Sequence, residues 1–325
     1  MFKFINLQLF AEVQTTLLEG LSAEMKTFYD MTLIDEAQAA LVHDQFGQKR
    51  PIPKNGGKTI EFRKFAALAK ATTPLTEGVT PDGKGLTVST ITATVNQYGD
   101  YITQSDVLEL TSLDNTILEA TKLLGRQAGL TLDTIVRNVL QSGTNVTYCP
   151  KADGTAVTSR AGLDNTCQLT VDVIKQVVAK LRAQNAPTIG GKYVAIIHPY
   201  VAYDLMSDER WVEAHKYAKP DNLYEGEIGE IAGVRFVQTS EAKIYEGGVF
   251  GTLIFGEGAY GVTEITGGGL QTIVKQKGSA GTADPLDQRS SVGWKAIKTA
   301  ELLIPQYLVR VESKSAVFSA SATEN

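Results

Sequence analysis

The chain has 325 residues, with 31 Lys and Arg against 36 Asp and Glu and a formal net charge of −5, a balance that excludes a basic nucleic-acid-binding domain. Hydrophobic residues at 43% and charged residues at 21% describe a globular chain of one large or two ordinary domains. No apolar run approaches the roughly 18 residues needed to cross a bilayer, so a soluble protein with no membrane partner is expected. The only cysteines, Cys149 and Cys167, are too few to staple a protein of this size. They point to a reduced, cytoplasmic setting, with a local bridge between them left open.

The opening MFKFINLQLFAE carries one basic residue and is interrupted by Asn6 and Gln8, so it reads as an arm rather than a signal peptide. Leu17, Leu18, Leu21 and Met25, then Leu33, Ala37, Ala40 and Leu41, recur at helical spacing and predict two short amphipathic helices. The run Pro51 to Gly57 breaks that pattern. Lys58 to Ala69 alternates Ile60 and Phe62 with Glu61 and Arg63, and Leu86 to Thr103 is rich in Thr and Val. These two strands, joined by a polar link with two prolines and three glycines, predict a long antiparallel hairpin whose arms reach roughly 40 Å. Two strands alone are marginal in water, so this hairpin needs a partner, either its own domain or a neighbouring subunit.

Asp114 is expected to cap a helix to about Gln141, with Ile117, Ala120, Leu124, Ala128, Ile135 and Val139 on one face and Gly143 beyond its end. Gly125 and Gly129 lie inside that pattern. Thr170 caps a further helix with Ile174, Val177, Val178 and Leu181 on its stripe, ending near Asn185. Tyr193 to His198 reads as a buried strand, and Pro199 suits the first turn of the helix after it. About half of the 30 glycines fall from Gly226 onward, among strand-like runs VRFVQT, TLIF, LQTIVKQK and YLVRVES. The tail SASATEN reads as mobile.

No catalytic constellation emerges. Gly256 to Gly261 matches GxGxxG after the strand-like TLIF, but the segment behind it cannot form the helix whose amides would hold a pyrophosphate, so a turn between strands is expected. Gly57-Lys58-Thr59 resembles the end of a P-loop, with Ile52 where the earlier glycine belongs and a strand following. Ser240 to Lys243 has SxxK spacing without companion motifs. His43, His198 and His215 lack partners at metal-ligand spacing and read as ordinary core or surface histidines. Asp204, Asp208 and Glu209 read as a solvated helical turn. The sequence therefore predicts no catalytic, cofactor-binding or metal-binding residue.

An arm, an unsupported hairpin, a long helix, an α/β region and late strands, in that order, together with NLQLFAE (Asn6 to Glu12), GEIGEIAGVRFVQTSEA (Gly226 to Ala242) and DPLDQRSSVGWKA (Asp284 to Ala296), resemble the major capsid protein of tailed bacteriophages. The strings are similar to the family of the N4-like phage major capsid protein. The resemblance implies an α+β fold of the Hong Kong phage-like type, with an N-terminal arm at 1–50, an extended-loop hairpin at 51–105 and a peripheral domain with a spine helix at 106–169. An axial domain over about 170–269 and return strands with the tail at 270–325 complete it. It further implies self-assembly into hexamers and pentamers of an icosahedral shell around double-stranded DNA, with scaffolding, portal and decoration proteins as partners and assembly in the host cytoplasm. The weakly acidic balance suits a wall that lets DNA slide, since each neutralised phosphate adds affinity. An encapsulin-type nanocompartment shell is the alternative within the same fold, and a nucleotide-using α/β enzyme the one outside it.

Overall fold

The computed structural model describes residues 23–65, 68–80, 82–112, 116–218, 229–279 and 284–325. Helix α1 (Ala23–Ala40) leads through a short strand β1 (Gln48–Lys49) to a hairpin of β2 (Thr59–Phe65) and β3 (Val88–Thr94). Strand β4 (Asn96–Ser105), a short helix α2 (Asp106–Thr111) and the long helix α3 (Thr116–Gln141) follow. Next come β5 (Val146–Tyr148), α4 (Val171–Ala183), β6 (Tyr193–Ile197), α5 (Pro199–Met206) and α6 (Glu209–Ala218). The rest is β: β7 (Glu230–Ile231), β8 (Val234–Gln238), β9 (Ile244–Tyr245), β10 (Val249–Phe255), β11 (Tyr260–Glu264), β12 (Gln271–Lys275), β13 (Arg289–Leu302) and β14 (Leu308–Lys314).

Two sheets organise these elements. In the first, β13 pairs with β4, β12 and β11, and β1 adds to β11 in parallel. In the second the order is β5-β14-β10-β6-β8-β7, with β9 beside β10. Alternation along β6 decides which layer each side chain enters: Tyr193, Ala195 and Ile197 join the core under α4, while Val194 and Ile196 face the core of α3. A sheet covered on both faces tolerates continuous apolar strands, as in the fully buried β6 and β10. Between β7 and β8, Ala232 and Gly233 both have positive φ, 54° and 81°, the geometry of a tight hairpin turn.

Helix α3 joins the two layers, and at 26 residues it spans roughly 39 Å. Its N-terminal half packs Leu124, Ala128 and Leu132 against Val292, Trp294 and Ala296 of β13, and its C-terminal half packs Val136 and Leu140 under β6 and β10. The buried face consists of two rows at steps of four. One row is apolar: Ala120, Leu124, Ala128, Leu132, Val136 and Leu140. The other holds Thr121, Gly125, Gly129, Asp133, Arg137 and Gln141. The expected stripe through Ile135 and Val139 therefore lies at the margin, where both are only partly buried. Gly125 is required by closeness: a Cβ there would sit 2.8 Å from the Leu33 carbonyl oxygen of α1.

Several sequence expectations are corrected. The second expected helix, through Leu33, Ala37 and Ala40, is the longer α1, which also takes in Met25, with Leu33 and Ala37 buried along it; the first, through Leu17, Leu18 and Leu21, lies outside the described residues, as does the Asp114 cap. The strand expected over Leu86 to Thr103 divides at Val95, and β4 pairs along its whole length with β13 instead of with β2. The Thr-rich alternation ends at Val95, and the polar run NQYGDYITQS that follows carries no apolar period to name a partner, so periodicity could not reveal the pairing with β13. Strand β11 joins the first sheet and β14 the second, so the late strands do not all return to one layer. The tail is pinned rather than loose. Phe318 stacks on Tyr200 at 4.2 Å, the Ser319 hydroxyl donates to the Gly248 carbonyl, and the Asn325 side chain holds Ile244 N–H and Ala242 C=O.

Candidate assembly surface

The hairpin β2–β3 is paired from Thr59↔Thr94 to Phe65↔Val88, and among the described residues no third strand joins it. Among its described side chains only those at its root are buried. Phe62, 4% exposed, sits with Ala93 against Leu303, flanked by Ile60, Ile91 and Ile304. The other face, with Glu61, Arg63, Thr90, Thr92 and Thr94, is exposed. Beyond the paired strands every described residue from Leu68 to Leu86 is exposed, including Leu75 at 77% and Leu86 at 67%. Apolar side chains held out in this way lose the gain that burial of each would bring, about 1.5–3 kcal/mol.

The root is fixed to the body by backbone bonds. Arg50 N–H donates to Val262 C=O, Ile52 N–H to Glu264 C=O and Thr266 N–H to Ile52 C=O, which stitches the segment before the hairpin along β11. Close approach at Gly261 completes the seat, since a Cβ there would lie 2.8 Å from the Phe62 ring. Beneath it the polar row of α3 ties the turn after α1. Asp133 accepts the Val42 and His43 N–H groups at 2.8 and 2.7 Å, its other oxygen lies 2.6 Å from His43 Nδ1, and the Tyr260 hydroxyl donates to the His43 carbonyl. Burial pushes the Tyr260 phenol up, so it stays a donor.

The same row anchors the second sheet. Arg137 Nη1 donates to the Glu241 carbonyl at 2.8 Å, and Gln141 Nε2 to the Gly251 carbonyl at 2.9 Å. The Tyr245 hydroxyl donates to Gln141 Oε1, and its ring lies 3.6 Å from the Arg160 guanidinium carbon. Arg160 forks onto the buried Glu312 at 2.7 and 2.6 Å, with Arg310 Nε at 3.0 Å on the same carboxylate. Such a paired buried carboxylate is structural, since each oxygen already faces a guanidinium. Nothing in the sequence period pointed to these polar residues.

The screened motifs fall apart in space or become ordinary structure. Gly256 to Gly261 bridges β10 and β11, Gly57-Lys58-Thr59 is the exposed segment that leads into β2, and Ser240 to Lys243 lies in the turn before β9. His43 is the buried partner of Asp133. His198 caps α5, its Nδ1 accepting the Tyr200 N–H at 3.2 Å, and burial pulls its imidazole down to about 4. The side chain of His215 lies outside the described residues. Asp204 and Asp208 are corrected from a solvated face. Asp204 is buried, one oxygen lacks a partner, and desolvation raises its carboxyl above the ordinary range. Asp208 accepts the N–H groups of Val171 and Arg210, capping α4 and the start of α6; Glu209 is exposed as expected. Among the described residues no group of three or more His, Cys, Asp or Glu side chains could hold a metal ion, and no helix is long and apolar enough to cross a membrane.

Residues 87–299 match the family model described as phage capsid protein. No curated protein matches the sequence. Solved structures that are similar include the capsid of cyanophage P-SCSP1u, at 15% identity over 94% of both chains with a TM-score of 0.67. The capsid of Ralstonia phage GP4 matches at 13% identity over 96% of this chain and 98% of that one, TM-score 0.64. A virus-like particle from Pyrococcus furiosus matches at 13% identity over 89% of this chain and 99% of that one, with a lower TM-score of 0.52. The fold shared with the two phage structures is the Hong Kong phage-like α+β fold.

Proposed function

The chain belongs to the phage capsid protein family and is a structural major capsid protein, and from that premise we propose how its parts build the shell. The β2–β3 hairpin with its exposed tip, residues 59–94, is the extended loop that lies over a neighbouring subunit. Helix α3 is the spine of a peripheral domain made with the β13 sheet, the sheet centred on β10 is the axial domain that meets its copies at the capsomer centre, and residues 1–50 act as the N-terminal arm. The subunits close as hexamers and pentamers around double-stranded DNA, which they touch weakly, with scaffolding, portal and decoration proteins as further partners and assembly in the host bacterial cytoplasm. The chain carries no catalytic activity in this role.

The observation that carries this reading is a hairpin anchored through Phe62 at its root while Leu75, Val79 and Leu86 stand in water. A folded subunit gains little from such a tip; a repeating contact gains it at every copy. The experiment is to express the chain alone and with its scaffold, and to compare it with a variant lacking Ala66 to Leu86, the arms joined by a short turn. The full chain should form shells, tubes or capsomers by ultracentrifugation and negative-stain microscopy. The deletion should leave folded subunits and few closed shells. A full chain that stays monomeric across salt and concentration overturns the reading, and so does a deletion variant that builds normal shells.

A further inference from the structure

Cys149 and Cys167 are both free and expose no surface, and both lie in the core cluster beneath α4. Their backbones meet the same edge of β14. Strand β5 runs parallel to β14 with Tyr148 opposite Glu312, and Cys149 continues that register by donating its N–H to the Glu312 carbonyl at 3.0 Å. A parallel strand that ran on would next offer its own carbonyl to the Lys314 N–H. Here the Cys167 carbonyl accepts that N–H instead, at 2.9 Å. The chain thus leaves β14 at Cys149, loops out through Pro150 to Thr166, and returns at Cys167 to the next hydrogen-bonding position. The Cys149 N–H and the Cys167 carbonyl bond the backbone groups on either side of Ser313, which brings the two residues together on one strand edge within one core cluster.

We propose that Cys149 and Cys167 form a latent redox staple: a dithiol in the reducing cytoplasm that closes to a disulfide when the protein meets an oxidising small-molecule disulfide, locking the Pro150–Thr166 segment onto β14. The timing, open during assembly and closed after release, rests on the reading of the chain as a capsid subunit; the bond itself does not. Cys167 is the attacking sulfur. Its thiol donates to Asp164 Oδ1 at 3.5 Å, a carboxylate of the ion pair that closes the segment, so parting that pair frees this sulfur first. The segment above it is held shut by the Lys151–Asp164 ion pair at 3.1 Å and by the turn from Lys151 to Thr155, so its opening admits the oxidant. The Cys167 thiolate attacks one sulfur of oxidised glutathione and one glutathione thiolate leaves. Cys149, deprotonated in turn, attacks the Cys167 sulfur and expels the second. Two protein thiols and one glutathione disulfide become one protein disulfide and two glutathione thiols.

The test uses the full chain, as free subunits and as assembled particles, equilibrated with oxidised glutathione a few degrees below its melting temperature so that the segment opens. The expected product has lost the mass of two hydrogens, has no thiol left to alkylate after denaturation, and yields a peptide pair joined through Cys149 and Cys167. Its Tm should rise by roughly 5 °C, and Cys149→Ala and Cys167→Ala should lose both the bond and the rise. Two alkylatable thiols after equilibration, or a stable glutathione adduct on Cys167, overturns the staple. Because the bond is read on free subunits too, a failure to assemble counts against the shell reading and leaves this one standing.

Discussion

Strands β3 and β10 are each seven residues long, but all seven residues of β10 are buried, whereas in β3 only Ala93 is. The difference follows from their neighbours. Strand β10 lies between β14 and β6 with helical layers on both faces, while β3 has β2 beside it and Leu303 beneath one end. Their sequences register this: VFGTLIF can leave water entirely, and VSTITAT presents Thr90, Thr92 and Thr94 on the side that stays wet. One strand holds the subunit together, and the other leaves most of its surface in water, as the proposed contact with a neighbour requires. Substitutions along the two should therefore separate folding from assembly.

The largest effect is expected in β10. Leu253 exposes no surface and packs with Val194, Ile196 and Leu308, so Leu253→Asp buries a carboxylate in an apolar layer where its cross-strand neighbour Arg310 is already held by Glu312 and the Gln141 carbonyl. A loss of about 5 kcal/mol or more, enough to give insoluble or proteolysed protein, is expected from that and the lost packing. A soluble variant with the parent's circular dichroism and Tm would break the comparison at its buried end.

At the hairpin root, Phe62→Ala should cost about 2–3 kcal/mol, below the usual Phe→Ala range because the site borders solvent and can partly collapse. Denaturant unfolding of the unassembled subunit measures it. A cost near that of Leu253→Asp would mean that the hairpin is part of the folding core; a cost near zero would mean that Phe62 does not anchor it.

The histidine at the start of α5 adds a pH dependence to the sheet region. Its folded pKa, about 4, lies below the ordinary 6.5, because burial disfavours the imidazolium. Between those values the unfolded chain binds more protons, so stability falls as pH drops from about 6.5 towards 4, by on the order of 3 kcal/mol in all. Protonation at Nδ1 would also remove the acceptor that caps Tyr200 N–H. Asp204 runs the other way: its raised pKa favours the fold at low pH, and that contribution is lost as pH rises. His198→Asn keeps a capping acceptor and abolishes the titration, so its denaturant midpoint should be flatter across this window. A parent and variant with parallel pH profiles would remove His198 as the cause.

What could be read from the sequence follows the same division. Strands β6 and β10, helix α4 and Pro199 at the start of α5 declare themselves, because each buried element carries a pattern of its own. The hairpin was legible up to Val95, where the chain changes sheets and the Thr-rich alternation gives way to a polar run with no apolar period. The two rows of α3 were half legible. The apolar row follows the helical period, but Asp133, Arg137 and Gln141 are buried only because His43, Glu241 and Gly251 arrive from distant segments to pair with them. The exposed tip left a negative signal, a polar link with scattered leucines and no periodicity, whose meaning depends on a second molecule.

The smallest effect on the subunit is expected at that tip, and it sharpens the comparison most. Leu75 and Leu86 have no buried contact to lose, so Leu75→Ser with Leu86→Ser should move the unassembled subunit's stability by less than about 0.5 kcal/mol. If the hairpin is the extended loop proposed above, each side chain is buried against a neighbour in the shell and the loss recurs at every copy. Removing two leucines at about 1.5–3 kcal/mol each weakens a single contact by two or more orders of magnitude in its equilibrium constant. Sedimentation should then show folded subunits or capsomers at concentrations where the parent closes shells, with matching denaturant curves for the two unassembled proteins. Normal shells from the double variant would mean that these leucines stay in water after assembly, and a shifted denaturant midpoint would mean that the tip folds back on its own subunit.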